Sequence, residues 1–410
     1  MSSIHLATLP NGLRVVHKNT GGTKIVHCGF IIDIGSRDET LPTQGIAHFW
    51  EHMAFKGTKK RKAFHILNRL DSKGGELNAF TTKEKISFYA SILDSHFEKA
   101  LELLTDITFD SVFPENQIEK EKNVILEEMA MYRDSPDDAL QDEFDSLIFQ
   151  DHSLGYNILG TQQSVKTFNR THFTDFLANN LNTEKIIFSS VGNIPFEKVL
   201  KLAQKYLSDI PRMTNGYTRN LFKNDKVDHK VMKKEISQSL CAIGRTSYSI
   251  SDERRLPFFL LTNILGGPAM NSRLNLSLRE RKGFVYSIEA NYSPFIDTGI
   301  FSIQFGTENN NLKKSIDTIY KELKYFREKK LSTKQIQDAR EQLKGQLAIA
   351  EENNTGFMLM MGKSLLDLGK IEPLDDIFHQ IDNIDASDLL ALANEMFEED
   401  TLSTLIFSPK

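Results

Sequence analysis

The segment Gly45-Ile-Ala-His-Phe-Trp-Glu-His-Met-Ala-Phe55 holds two histidines and a glutamate in the order His48-x-x-Glu51-His52. In a helix, residues three and four apart share a face, so the three side chains project to one side. Two neutral imidazoles at this spacing can bind one zinc ion, and the carboxylate between them can lie beside a metal-activated water. The alternative is an amphipathic helix whose histidines only cap a core, since five-residue patterns arise by chance in a chain with 11 histidines.

Composition and charge are those of a globular protein. The chain has 410 residues, of which 40% are apolar and 26% charged, with a formal net charge of -5. This length predicts two or more domains. The sequence contains no block of lysine and arginine that would form a nucleic-acid surface, so no nucleic-acid partner is expected.

Cysteine content and the lengths of apolar runs indicate in which cellular compartment the protein is expected. Two cysteines, Cys28 and Cys241, cannot form a disulfide framework and are compatible with a reducing environment. No apolar run approaches the roughly 18–20 residues of a membrane span, and the N-terminal residues resemble neither a secretory signal nor an Arg-rich transit peptide. We therefore expect a cytoplasmic protein without membrane contact.

The order of predicted elements indicates a duplicated α+β fold. Strands precede the motif helix, a long helix is predicted from Pro114 to Arg133, and a polar segment without apolar periodicity follows Pro211. The segment around Cys241 resembles the strand containing Cys28, and the one around Ile406 resembles the strand containing Ile187, at offsets of 213 and 219 residues. Strands followed by helices in each half predict two homologous domains, each a mainly antiparallel sheet covered by helices. The predicted boundaries are an N-terminal domain 1–212, a linker 213–230 and a C-terminal domain 231–410.

The long helix after Pro114 offers a third metal ligand. Glu121 and Glu128 are seven residues apart, or two helical turns, and so share a face. Either glutamate could simply be a solvated surface carboxylate. Glu128 together with His48 and His52 would complete the two-histidine, one-glutamate set of catalytic zinc sites, which leave a fourth position for water.

With these residues assembled, nearly the whole chain resembles the pitrilysin/insulinase family of inverted zincins, which includes the mitochondrial processing peptidase. The matching segments are Leu9-x-Asn-Gly-Leu-x-Val, Gly35-Ser-Arg-x-Glu, Gly45-x-Ala-His-Phe-x-Glu-His-Met-x-Phe-Lys-Gly-Thr, Gly75-x-x-Asn-Ala-Phe-Thr and Glu121-x6-Glu128. The resemblance implies a processing-peptidase-like metallohydrolase fold with Zn²⁺ held by His48, His52 and Glu128. It further implies that Glu51 is the general base and that Glu121 supports the metal site. Trp50 stands where relatives commonly carry an aliphatic residue, and we expect only a change in packing.

Further family segments concern the substrate. Leu278-Arg-Glu-Arg-Lys-Gly-Phe-Val-Tyr286 resembles the family's Arg-x6-Tyr pair, which implies that Arg279 and Tyr286 reach the bound peptide and its scissile carbonyl. Locally, a basic helix end followed by glycine and a strand aromatic is also a common structural pattern. Asn78, Ala79 and Phe80 resemble the edge strand with which an extended substrate pairs.

The resemblance implies a zinc metalloendopeptidase that hydrolyses unfolded peptides or presequences inside an enclosed chamber. Because the chain has half the length of the four-domain members, a homodimer or a homologous partner subunit is expected. The principal alternative is a non-catalytic peptide-binding or scaffold subunit of a heterodimeric peptidase. A metal-dependent hydrolase of small molecules is a further alternative, since fold alone does not decide function.

Overall fold

The computed structural model describes residues 4–216, 218–223 and 226–410. Within these residues the chain forms two β-sheets. The strands are β1 (Ile4–Thr8), β2 (Arg14–Asn19), β3 (Ile25–Ile32), β4 (Glu76–Thr81), β5 (Ile86–Leu93), β6 (Ile186–Gly192), β7 (His229–Lys234), β8 (Ser239–Ser247), β9 (Val285–Pro294), β10 (Gly299–Thr307) and β11 (Ser403–Pro409).

Helices occupy most of the remaining chain. They are α1 (Ile46–Ala54), α2 (Ala63–Asp71), α3 (Phe97–Phe109), α4 (Glu115–Asp134), α5 (Pro136–Ile148), α6 (Gln162–Thr167), α7 (Arg170–Asn180), α8 (Phe196–Leu207), α9 (Arg255–Gly266), α10 (Leu312–Glu328), α11 (Thr333–Glu352), α12 (Asn354–Asp367), α13 (Leu374–Asn383) and α14 (Ala386–Met396), with a π-helical turn at Asn275–Glu280. The long helix expected after Pro114 is α4. No helix of the described residues has the length and apolar character that crossing a membrane requires.

The two sheets repeat one pattern of strand pairing. The first has the order β1-β2-β6-β3-β5-β4, and the second has the order β7-β11-β8-β10-β9. In the first, β2 pairs parallel with β6 and the other pairs are antiparallel; in the second, the same is true of β7 and β11. Cys28 lies on β3 and Cys241 on β8, which are equivalent strands in this pattern. The predicted fold class, two homologous domains with mainly antiparallel sheets, is therefore confirmed.

The compact units of the structure are made of discontinuous segments. The first consists of residues 1–130, 156–220 and 350–371, and the second of residues 131–155, 221–349 and 372–410. The sequence placed the division between the two domains at 212–231. The units differ from it mainly in two segments, since residues 131–155 belong to the second unit and residues 350–371 to the first. Of the expected linker, residues 217, 224 and 225 lie outside the described residues.

Packing explains why these two segments belong where they do. In the first unit, α12 covers one face of the sheet, where Met358 and Met361 are buried against Ile31 and Ile187. In the second unit, α5 buries Phe144 in a cluster with sheet residues that include Leu240, Ala242 and Phe407. Each helix buries its apolar side on the sheet of the unit to which it is assigned.

Candidate metal centre

The position of helix α1 is determined at its first turn. Gly45, the residue before the helix, has φ +91°, and a Cβ there would lie 2.4 Å from the carbonyl oxygen of Leu159. Glycine is the residue that this backbone conformation and this close approach require. The two carboxylate oxygens of buried Glu39 accept hydrogen bonds from the backbone N–H groups of Gly45 (2.8 Å) and Ala47 (2.9 Å). These bonds satisfy two of the unpaired donors that every helix start presents.

The three predicted ligands converge on one point in the first unit. His48, His52 and Glu128 each offer a ligand atom, and these atoms lie within 4.8 Å of one another. Nε2 of His48 is 3.8 Å from Oε1 of Glu128, and Nε2 of His52 is 3.4 Å from its Oε2. The two histidines lie on α1 and the glutamate on α4, as their spacing in the sequence predicted.

Glu121 lies two helical turns before Glu128 on α4 and contacts the cluster through His52. His52 Nδ1 donates a hydrogen bond of 3.0 Å to Oε1 of buried Glu121, and Lys56 Nζ lies 2.7 Å from the other carboxylate oxygen. The bond at Nδ1 orients the ring so that Nε2 points toward Glu128. Such a carboxylate partner is the usual companion of a metal-binding histidine.

Burial and neighbouring charges separate the two histidines electrostatically. Burial lowers the pKa of His48, the charge of His52 lowers it further, and Glu128 opposes the change. Burial also lowers the pKa of His52, but its hydrogen bonds to Glu121 and Glu128 and their charges outweigh burial and raise this pKa to about 9. A positive charge is thus disfavoured on the ring of His48 and favoured on the ring of His52.

The donor set and its spacing fit zinc. Bonds of about 2.0–2.1 Å in tetrahedral geometry hold neighbouring ligand atoms roughly 3.4 Å apart, which is close to the separations between Glu128 and the two imidazoles. His48 Nδ1, its second ring nitrogen, is buried with no hydrogen-bond partner among the described residues. Two imidazoles and one carboxylate are the protein ligands of open, catalytic zinc sites.

Glu51 lies beside this cluster and is held by a threonine. The hydroxyl of Thr81 donates a hydrogen bond of 2.6 Å to Oε2 of Glu51. Burial raises the pKa of Glu51, and the charge of Glu128 raises it further. The Thr81 hydrogen bond and the charge of His52 lower it, but the pKa stays above its ordinary value. A carboxylate with a raised pKa is a more effective proton acceptor near neutral pH.

The predicted substrate-binding residues Asn78, Ala79 and Phe80 lie on β4. This strand is the last in its sheet and pairs with β5, so its outer backbone groups face away from the sheet. Thr81, the contact of Glu51, is the last residue of the same strand. The structure therefore joins the edge strand directly to the predicted catalytic glutamate.

Arg279 and Tyr286 lie in the second compact unit. Arg279 is in the π-helical turn and Tyr286 on β9, and the guanidinium carbon lies 5.8 Å from the centre of the tyrosine ring. Tyr286 is 85% exposed. The structure brings this predicted pair together, and its contact with substrate stays a prediction.

Comparison with known proteins gives the family. An uncharacterized zinc protease of Bacillus subtilis is 35% identical over 401 residues, covering 97% of each chain. An uncharacterized zinc protease of Rickettsia bellii is 35% identical over 407 residues, covering 98% of this chain and 97% of its own. The chain belongs to peptidase family M16, the insulinase family. The family's profile matches residues 14–162, and the profile described as the M16 inactive domain matches residues 167–343.

Solved structures agree on the M16 fold. A protease from Helicobacter pylori matches with a TM-score of 0.90 and 21% identity, and the match covers 100% of both chains. A structure titled peptidase M16 inactive domain, from Pseudomonas fluorescens, also gives a TM-score of 0.90, with 18% identity and coverage of 100% of this chain and 98% of that one. M16 membership and the names of the relatives support a zinc-dependent peptidase.

Three supporting residues of this M16 chain lie in the segments that resemble the family, but no role was assigned to them from the sequence. They are Glu39 at the start of α1, Lys56 beside Glu121, and Thr81 beside Glu51. Lys56 follows His52 by four residues, a spacing that could have indicated a shared helix face. Glu39 and Thr81 act through tertiary contacts, and although both belong to family-like segments, residue spacing does not identify their partners. Trp50 is fully buried with its ring 5.4 Å from that of Phe88, in agreement with the expected packing role.

Proposed function

We propose that this protein is a zinc-dependent metalloendopeptidase that hydrolyses unfolded peptides or presequences inside an enclosed chamber. The observation that carries the proposal is the convergence of His48, His52 and Glu128 within 4.8 Å, beside the half-buried carboxylate of Glu51. Relatives named zinc proteases support the same reaction class.

Each residue has a defined part in this reaction. When bound by His48, His52 and Glu128, zinc polarises the scissile carbonyl and lowers the pKa of water. Glu51 accepts the proton of the attacking water and passes it to the leaving amine. Glu121 fixes the ring of His52 through the hydrogen bond at Nδ1.

Substrate binding uses the free edge of β4. An extended peptide adds to this edge through main-chain hydrogen bonds to the segment Asn78-Ala79-Phe80, which gives affinity with limited side-chain selectivity. Because an edge can pair only with extended backbone, unfolded segments are the preferred substrates. Arg279 and Tyr286 supply hydrogen-bond donors to the developing oxyanion.

The proposal includes a homodimer, or a complex with a homologous partner subunit, in the cytoplasm. The chain carries both the metal motif and the Arg/Tyr pair, so two identical copies can supply complete sites. A strictly monomeric protein by sedimentation or sizing chromatography would contradict the dimer and leave the chemistry of the metal site unaffected.

The decisive experiment compares wild type with Glu51→Gln on a quenched, unstructured peptide of roughly 20–25 residues, with zinc content measured on both proteins. The amide cannot accept the proton, so we expect zinc in both proteins and cleavage only by wild type. Glu127→Gln, at an exposed position of α4, controls for the loss of one carboxylate. Zinc in both with cleavage in neither would favour the peptide-binding subunit, and cleavage by Glu51→Gln at the wild-type rate would refute the role of Glu51.

A further inference from the structure

One lysine of the first unit lies beside the free strand edge. Lys363 is on α12, and its Nζ lies 5.3 Å from the centre of the Phe80 ring, which belongs to β4. Phe80 in turn contacts the ring of Tyr89 edge-on at 6.0 Å. Both Lys363 and Phe80 are half-buried. An ammonium over an aromatic face gains some electrostatic stabilisation, but far less than from a carboxylate.

The charge of Lys363 is not balanced within the unit. The described residues provide no ion pair or hydrogen bond to its ammonium. The acid one helical turn further along α12 is Asp367, and this carboxylate already pairs with Lys85 at 2.5 Å. Burial lowers the pKa of Lys363 and the nearby charge of Lys85 lowers it further, with Asp367 opposing both. Asp367 thus lies near two lysines but pairs with Lys85, so among the described residues the ammonium of Lys363, beside β4, has no ion-pair partner.

Strand alternation relates this lysine to a bound peptide. Successive side chains of β4 point to opposite faces of the sheet: Thr81 contacts Glu51 on α1, and Phe80 contacts Lys363 on α12. A peptide added outside β4 obeys the same alternation. Every second peptide side chain therefore lies on the α12 face, and the one opposite Phe80 approaches the ammonium of Lys363.

We propose that Lys363 and Phe80 form a subsite that accepts an acidic side chain of the bound peptide. This inference rests on the proposed function and narrows its substrate class. The ammonium supplies the charge, and the Phe80 ring supplies an apolar wall for the methylene groups of aspartate or glutamate. A basic side chain at this position is disfavoured, because it would bring a third cation next to Lys363 and Lys85. Peptides with an acidic residue near the cleaved bond fit this subsite better than arginine-rich presequences do.

The test is a position scan with matched peptides. One aspartate is moved through seven consecutive positions around the cleaved bond of an uncharged, C-terminally amidated peptide, and asparagine and lysine peptides are made for each position. Amidation removes the terminal carboxylate as a competing anion. For wild type, Lys363→Met and Lys363→Glu, kcat/KM of each aspartate peptide is divided by that of the matching asparagine peptide and by that of the matching lysine peptide. Mass spectrometry identifies the bond cleaved in each peptide.

We expect wild type to favour aspartate over lysine by roughly tenfold at one position, a size typical of a partly desolvated ion pair. Lys363→Met should remove this preference, and Lys363→Glu should reverse it. Lys73→Met, which removes an exposed lysine of the same unit, should keep the wild-type ratio.

Several results would overturn the subsite. Cleavage of all peptides by wild type without charge preference would refute it while leaving the peptidase intact, as would a preference that persists in Lys363→Met. Cleavage of no peptide by a zinc-loaded wild type would instead refute the proposed function, and the subsite with it.

Discussion

The hydroxyl of Thr81 donates a hydrogen bond of 2.6 Å to Oε2 of Glu51. Thr81 is the last residue of edge strand β4, and Glu51 lies on α1 between the two histidines proposed as metal ligands. One contact thus connects the strand that we propose binds the peptide to the carboxylate that we propose accepts the proton. With one oxygen of Glu51 held by Thr81, the other is left for the attacking water.

Replacing Thr81 by valine should lower kcat and leave KM nearly unchanged. Valine keeps the shape of threonine but cannot donate, and a hydrogen bond to a charged group contributes about 1.5–3 kcal/mol, or roughly 10- to 100-fold in rate. Steady-state kinetics with a quenched peptide measure the effect. Thr81→Ser retains the donor and should recover most of the activity. Wild-type kcat in Thr81→Val would show that the contact does not orient Glu51 for reaction.

Glu121→Gln should weaken zinc binding by about 10- to 100-fold, the usual effect of losing the partner of a metal-binding histidine. Glu121 accepts the hydrogen bond from His52 Nδ1 and pairs with Lys56, so the amide removes the charge that holds both groups. Competition with a chelator of known affinity measures the change. Glu127→Gln, an exposed neighbour of Glu128, should bind zinc as wild type does. Equal affinities in the two variants would contradict a supporting role for Glu121.

The ion cluster of Arg219, Asp33 and Asp38 should stabilise the folded first unit at neutral pH and lose this effect in acid. Arg219 pairs with Asp33 at 2.9 Å and with Asp38 at 2.8 Å. Burial raises the pKa of Asp33, but the charges of Arg219, Lys85 and Lys185 and the Arg219 hydrogen bond outweigh it and bring the pKa below its ordinary 3.8. A carboxyl whose pKa is lower in the folded than in the unfolded protein stabilises the fold at pH values above its unfolded pKa. This stabilisation is lost as the pH falls from the unfolded pKa through the folded pKa.

Asp33→Asn should therefore reduce the free energy of unfolding by about 1.5–3 kcal/mol at pH 7, the contribution of a hydrogen bond to a charged group. The difference from wild type should shrink below about pH 4, where the unfolded carboxyl takes up its proton. Denaturant titrations at pH 7 and pH 3 measure both values. Asp175→Asn, at an exposed position of α7, should change stability little at either pH. A difference independent of pH would mean that the charge of Asp33 is not what stabilises the unit.

The clustering of the proposed metal ligands was predictable because its central part is local. Helical spacing alone brings His48, Glu51 and His52 to one side, and two helical turns relate Glu121 to Glu128. Assigning Glu128 as ligand and Glu121 as support required the resemblance, because spacing alone does not distinguish them. Thr81 could not be assigned to Glu51, since a hydrogen bond across 30 residues depends on how β4 meets α1.

The repeated sheets were also predictable, from similar strands at similar offsets, whereas the assignment of segments to units was not. The residues Phe357, Met358, Met361 and Leu365 of α12 are buried on one sheet, but their spacing specifies a helix and not the sheet that it covers. A polar segment between two halves of a sequence indicates a boundary, and Arg219 within that segment is nevertheless anchored to Asp33 and Asp38.

A fragment ending at residue 212 should fail to fold as a stable domain, because it lacks α12. Without this helix, Val16, Ile31, Ile187 and Val191 of the sheet lose the cover that buries them. Burying an aliphatic side chain contributes about 1.5–3 kcal/mol, so the loss approaches the roughly 5–15 kcal/mol of a whole domain. We expect the fragment to bind a hydrophobic dye and to unfold without cooperativity. Residues 1–220 should behave similarly, whereas the same fragment with residues 350–371 appended through a flexible linker should unfold cooperatively. Cooperative unfolding of 1–212 alone would mean that α12 is not needed to complete the first unit.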